Sequence, residues 1–148
     1  MLEKLDSKII STAKHCSIGA ARVVLFIIFF WFGILKIFGL SPAGPMVHDL
    51  FDMTISVMSF SNFYLMFGLF EMLIGLLFIT PRAERLAIFL LAIHMFTTSL
   101  PLFILPTTTW AGFLVPTLEG QYIIKNLLII ALAIGVAANL KPLTFRLN

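Results

Sequence analysis

The chain has 148 residues, of which 60% are hydrophobic and 11% charged, with a mean hydropathy of +1.07. A soluble domain carries about 25% charged residues and could not cover this much apolar surface, so the composition specifies an integral membrane protein. The formal net charge of +3 is therefore read from where the charges fall, and carries no implication of nucleic-acid binding.

In chain order, Leu2, Leu5, Ile9, Ala13 and Cys16 recur at helical spacing opposite Glu3, Lys4, Lys8 and Lys14. That pattern predicts an amphipathic helix over residues 2–17, lying on the inner leaflet. Cys16 is the single cysteine, has no internal disulfide partner, and reads as a small apolar residue near that surface. Residues 22–40 form the first apolar run long enough to cross a hydrocarbon core about 30 Å thick. The long basic lead, the lack of an A-x-A site and the presence of Lys36 inside the run argue against a cleaved leader. Trp31 falls near the middle of this span, where its indole N–H would need a partner in another helix.

Gly44-Pro45 suits a helix start. Over residues 45–58, Met46, Val47, Leu50, Phe51, Thr54, Ile55 and Met58 form one face, with His48, Asp49 and Asp52 on the other. This predicts an outer amphipathic helix whose histidine and aspartates are a solvated face rather than a metal site. Further spans are predicted over residues 61–79, 86–105 and 122–139. Pro81-Arg82-Ala83-Glu84-Arg85 is a polar turn that makes a hairpin of the second and third. Pro101 lies inside the third span, where it removes a donor from the carbonyl of Thr97 and predicts a kink. Trp110 sits where an interfacial anchor belongs.

Orientation follows from the basic residues. Lys4, Lys8, Lys14, Arg22, Arg82, Arg85, Lys141 and Arg146 all fall on one side of the predicted spans. The opposite connections, residues 41–60 and 106–121, carry Asp49, Asp52 and Glu119 but no lysine or arginine. By the positive-inside rule both termini are expected in the cytoplasm. The expected fold is thus all-α: a single-domain integral membrane four-helix bundle over residues 1–148, N-in and C-in, with short interfacial amphipathic helices.

Four ionisable residues interrupt the spans, one in each: Lys36, Glu71, His94 and Lys125. A charge at the bilayer centre costs roughly 2.5–3.5 kcal/mol on insertion scales unless it meets a partner or a water-filled cavity. At 1.5 Å per residue, Glu71 and His94 fall within about 2 Å of the midplane, and Lys36 and Lys125 about 8 Å outward. Glu119 sits just outside the span, near Lys125. Gly68, Glu71, Met72 and Gly75 share one helical face, and the glycines there permit a close helix–helix approach. On the third span Leu91, His94, Thr98 and Pro101 align, and on the fourth Gln121, Lys125 and Ile129. Glu71, Lys36, Lys125, His94 and Glu119 are therefore the candidate ligand or ion-pair cluster. Snorkelling to the outer headgroups is the alternative for the lysines, and a register-fixing ion pair is an alternative to a ligand site.

The same residues carry a family resemblance. Phe29-Phe30-Trp31-Phe32-Gly33-Ile34-Leu35-Lys36-Ile37-Phe38 resembles the F-x-x-W-x-G-x-x-K-F signature of the YkgB-type branch of DoxX-like membrane proteins. Gly68-Leu69-Phe70-Glu71-Met72-Leu73-Ile74-Gly75-Leu76-Leu77 resembles that branch's G-x-x-E-x-x-I-G-L-L element. Thr97-Thr98-Ser99-Leu100 and Pro106-Thr107-Thr108-Thr109-Trp110 resemble its threonine-rich segment, and Glu119-Gly120-Gln121-Tyr122-Ile123-Ile124-Lys125-Asn126 its closing motif. The loop over residues 40–60 is shorter than in longer family members, and Asn126 stands where an aspartate often follows the lysine. The resemblance implies a four-helix bacterial inner-membrane protein. Its relatives are linked to oxidant resistance, including reactive chlorine, and to the membrane subunit of a thiosulfate:quinone oxidoreductase.

No phosphate loop, paired-cysteine metal motif, nucleophile elbow, haem ligand pair or flavin motif is visible. No resident cofactor is expected, and any redox chemistry would require quinone or a partner subunit. Three functional expectations follow. The first is a non-enzymatic module binding a lipophilic, quinone-like ligand or a partner in oxidant-stress or redox physiology. The second is a subunit of a quinone-linked oxidoreductase, with Glu71 and His94 relaying protons. The third is a small proton-coupled transporter acting as a homo-oligomer. In each the first partner is the lipid bilayer.

Overall fold

The computed structural model describes residues 1–55 and 57–142. Arg146, one of the orientation-setting charges, and Ser56, inside the predicted outer helix, lie outside the described residues.

Helix α1 spans Leu2–Ile37, 36 residues or about 54 Å. The expected separation between a surface helix and a first span does not occur. Residues 2–37 contain no proline, and Gly19, followed by helix-favouring Ala20 and Ala21, is too weak a breaker to interrupt the ladder near the membrane entry. Residues 2–17 are all exposed and extend the helix beyond the bundle. The helix stops at Gly39, whose φ of +67 is the left-handed conformation glycine adopts without strain. Leu40 N–H then donates to the Leu35 carbonyl at 2.8 Å and Gly39 N–H to Lys36 at 3.1 Å, the pairing of a Schellman cap.

Helix α2 (Gly44–Thr54) starts at the expected Gly-Pro pair and ends four residues before the predicted limit. Its buried residue, Phe51, packs on Phe60 and Phe63, while His48, Asp49 and Asp52 stay exposed as predicted. Helix α3 (Phe60–Ile79) is capped by the Ser59 hydroxyl and ends at Thr80-Pro81. Helix α4 (Glu84–Ser99) continues through Leu100 into the short α5 (Pro101–Ile104), together one apolar span. The turn before Pro101 is loosened: Leu100 keeps helical angles, and the Thr97 carbonyl, deprived of its usual donor, accepts Leu100 N–H at 3.2 Å.

The next segment was not anticipated. Helix α6 (Pro106–Thr109) leads into a minimal antiparallel pair, β1 (Trp110–Gly112) and β2 (Val115–Pro116), before α7 (Leu118–Ala138). The threonines knit this cap together. Thr117 N–H and Oγ1 donate to the carbonyls of Thr109 (3.0 Å) and Thr108 (2.7 Å), and the Trp110 indole donates to the Leu102 carbonyl (2.9 Å). Gly120 fits only because it lacks a side chain: a Cβ there would lie 2.1 Å from the Thr109 carbonyl oxygen.

Glycine also brings α1 and α3 together. A Cβ on Gly33 would fall 2.5 Å from the Gly68 carbonyl oxygen, and one on Gly75 2.9 Å from Phe30 N. The two backbones therefore touch along the seam that carries Phe29, Lys36, Glu71 and Ile74, as small-residue faces allow in membranes. Leu25, Phe29, Ile74, Phe78, Ala87, Leu91 and Val136 fill the core between α1, α3, α4 and α7. The outer surface is also apolar, with Phe89, Phe96, Leu127, Leu128 and Ile134 exposed along the helices. Trp31 belongs to that surface at 62% exposure, not to an inter-helix contact. Phe29, Gly33 and Lys36 occupy the inward face, which turns Trp31 away from it. Among the described residues, four helices are long and apolar enough to cross a membrane, and their exterior suits lipid. The chain is an all-α, multi-pass membrane protein.

Candidate functional site

Lys36, Glu71 and His94 meet in the bundle interior, each at most 6% exposed. Lys36 Nζ donates to Glu71 Oε2 at 2.7 Å, and His94 Nε2 lies 2.9 Å from Glu71 Oε1. Three helices thus contribute one group each, and Glu71 joins the other two. The direction of the helices explains how an offset of about 8 Å along the bilayer is bridged. Each Cα–Cβ bond tilts toward its helix N-terminus. α1 runs from the basic end toward the far end, so Lys36 leans back into the bundle. α3 runs the other way, so Glu71 leans to meet it. Gly68 makes room, since its missing Cβ would lie 3.1 Å from Lys36 Cβ.

Aromatic rings close the surroundings. The Lys36 ammonium lies 5.3 Å from the Phe67 ring centroid, within cation–π range. Phe67 and Phe70 stack with the His94 imidazole at 5.3 and 6.1 Å, and Phe29 meets it edge-on at 5.2 Å. The lysine cation and the glutamate anion cancel, so with a neutral imidazole the trio carries no net charge, the balance that a low-dielectric interior favours. With Nε2–H donating to Glu71, that neutral imidazole presents Nδ1 as an acceptor. Nδ1 is buried and has no hydrogen-bond partner among the described residues.

Lys36 also lines a cleft of about 340 Å³ between the end of α1 and the start of α3, with Ile37, Gly39, Phe60, Ser61, Tyr64 and Leu65. Glu71 and His94 are not among its walls. Lys36 is thus the one residue common to the cleft and the buried trio. The Tyr64 hydroxyl is buried under α2, beside Gly44, with no partner among the described residues.

Lys125 and Glu119 do not join the cluster. Both are exposed, and the Lys125 ammonium sits 5.1 Å from the centroid of its own helix neighbour Tyr122. α7 begins at the far end, so the backward tilt carries Lys125 outward, away from Glu71. Helical phase acts in the same sense. Gly120 is pinned against Thr109, which makes Gly120, Ile123, Ala133 and Val136 the buried face and turns the expected face of Gln121 and Lys125 outward.

Two further arrangements escaped the sequence reading. Arg22 Nε donates to the Phe78 carbonyl at 2.6 Å and Nη2 to Thr80 at 3.3 Å, while Nη1 pairs with Glu84 at 2.8 Å. One side chain thereby satisfies the end of α3 and ties the α3–α4 hairpin to α1. An arginine at a span entrance and a glutamate in the turn at the same end were the available signal. Tyr64 shares the helical face of Gly68, Glu71 and Gly75, which also could have marked it. Comparison of the chain with protein-family models, with curated proteins and with solved structures finds no match.

Proposed function

We propose that the protein is a non-enzymatic inner-membrane module that binds a lipophilic, quinone-like ligand in the cleft beside Lys36. The observation that carries this reading is the composition of the cleft. Its volume of about 340 Å³ lies in the usual range for small-molecule sites, roughly 300–1,000 Å³. Ile37, Phe60, Leu65 and the Tyr64 ring offer an apolar wall, and Lys36 and Ser61 bring side chains that can donate hydrogen bonds. Such a site suits a ligand with an apolar body and an oxygen acceptor at one end. Glu71, itself engaged by His94, holds the lysine from behind. The motif resemblance to DoxX-like proteins of the YkgB type supports a role in oxidant-stress or redox physiology. The charge distribution supports placing both termini in the cytoplasm.

The test uses the full chain in phosphatidylcholine nanodiscs and decylubiquinone as the probe. Saturable binding is expected, weakened about tenfold or more by Lys36→Met and by the cleft-filling Leu65→Trp, a loss of about 1.4 kcal/mol. Binding that both variants leave unchanged would remove the cleft as the ligand site. A second reading, a membrane subunit of a quinone-linked oxidoreductase, draws on the Glu71–His94 contact, which could pass a proton toward a bound quinone. Under that reading, quinol turnover by a co-purified partner enzyme would require both Glu71 and His94.

A further inference from the structure

We infer that the cleft takes amphiphiles with an anionic head together with one proton, which comes to rest on His94 Nδ1. This rests on the reading of the cleft as a ligand site and adds the charge of the ligand and the fate of a proton. Three observations carry it. Lys36 belongs to both the cleft wall and the buried trio. His94 Nδ1 is buried and unpartnered while Nε2 is engaged with Glu71. Glu71 and His94 are at most 5% exposed and are not among the cleft walls, so a hydrated counter-ion has no place beside the carboxylate.

Charge balance then sets the outcome. An anionic oxygen in the cleft draws the Lys36 ammonium toward it, a movement within the reach of a four-carbon stem. Glu71 then shares its cation with a second anion, which leaves one negative charge uncompensated in an interior where that is costly. The groups facing Glu71 are Lys36 from α1 and His94 from α4; on α7, Lys125 is exposed against Tyr122 and supplies no substitute. A solvent proton bonding to Nδ1 makes an imidazolium that pairs with Glu71, and the site now holds two cations and two anions. A neutral quinone has no such requirement, because the trio already sums to zero and Lys36 can serve carbonyl and carboxylate together. Anionic ligands therefore enter with a proton and neutral ones without.

Isothermal titration of the full chain in phosphatidylcholine nanodiscs, in two buffers of different ionisation enthalpy, counts the protons taken up. Decanesulfonate is the anionic probe, since it stays ionised across the pH range, and decylubiquinone the neutral one. Lys36→Met supplies the baseline for partition into lipid. The expected result is about one proton per sulfonate and none per quinone, with sulfonate affinity falling as pH rises, by up to about tenfold per pH unit. His94→Gln, which keeps a donor toward Glu71 but has no Nδ1, should abolish the uptake. Sulfonate binding without proton uptake, or uptake that survives His94→Gln, overturns the inference and leaves the cleft reading intact. Failure of both probes to bind above the Lys36→Met baseline overturns the cleft reading itself.

Discussion

Removing Glu71 should cost more stability than removing either of its partners. Glu71 accepts from Lys36 at 2.7 Å and faces His94 at 2.9 Å, and all three side chains are nearly inaccessible. Breaking a buried pair by deleting one partner costs about 3–5 kcal/mol, because the other charge is left unpaired. A hydrogen bond between membrane helices averages about 0.6 kcal/mol and reaches about 1.7. Glu71→Leu loses both contacts and strands an ammonium, so it should cost about 4–5 kcal/mol. Lys36→Met leaves the carboxylate with His94 and should cost about 3 kcal/mol. His94→Phe keeps the charge pair and the aromatic stack and should cost about 1 kcal/mol. The double variant Lys36→Met/Glu71→Leu removes both charges, so its cost should fall short of the summed single costs by at least about 2 kcal/mol. Reversible unfolding in mixed dodecylmaltoside–SDS micelles, followed by far-ultraviolet circular dichroism, measures all four. Glu71→Leu within about 0.5 kcal/mol of wild type, or an additive double variant, would refute the reasoning.

Other positions test other joints. Arg22→Ala should destabilise by about 2 kcal/mol in the same assay, since it removes charge-assisted bonds to Phe78, Thr80 and Glu84. Arg22→Lys should recover little, because a single ammonium cannot reproduce the guanidinium fork. Gly120→Ala places a Cβ 2.1 Å from the Thr109 carbonyl oxygen and should markedly reduce the yield of folded protein, whereas Gly135→Ala meets nothing within 4 Å and should be neutral or slightly stabilising. Lys125→Met should change stability by less than about 0.5 kcal/mol and show no coupling to Glu71, as its ammonium lies outside the buried cluster.

The spans, the far-end helix and the pairing of Glu71 were legible because each rests on a strong local signal. Apolar runs of fixed length mark the crossings, and a glutamate too short to reach either interface demands a partner inside. The choice between two lysines at equal depth was not settled by depth. It depended on helix direction: Lys36 sits near the C-terminal end of α1 and leans inward, while Lys125 sits near the N-terminal end of α7 and leans outward. That direction followed from the predicted topology, so the distinction was available. The phase of α7 was not, because it is set by the contact of Gly120 with a carbonyl eleven residues upstream. The continuity of α1 was missed for a related reason. A change in composition near residue 20 marks where a helix enters the membrane, but a helix breaks only at a backbone signal, and none lies there.

Lys36 held between the cleft and Glu71 is the feature on which both functional proposals depend. Solid-state NMR on the full chain in lipid bilayers, with lysine Nζ labelled in ¹⁵N and glutamate Cδ in ¹³C, measures that contact directly. A strong dipolar coupling to Glu71 that vanishes in Lys36→Met and persists in Lys125→Met is predicted from the 2.7 Å Nζ–Oε2 distance. A Glu71 signal without a coupled lysine nitrogen, or one whose coupling is lost with Lys125 instead, would contradict the account.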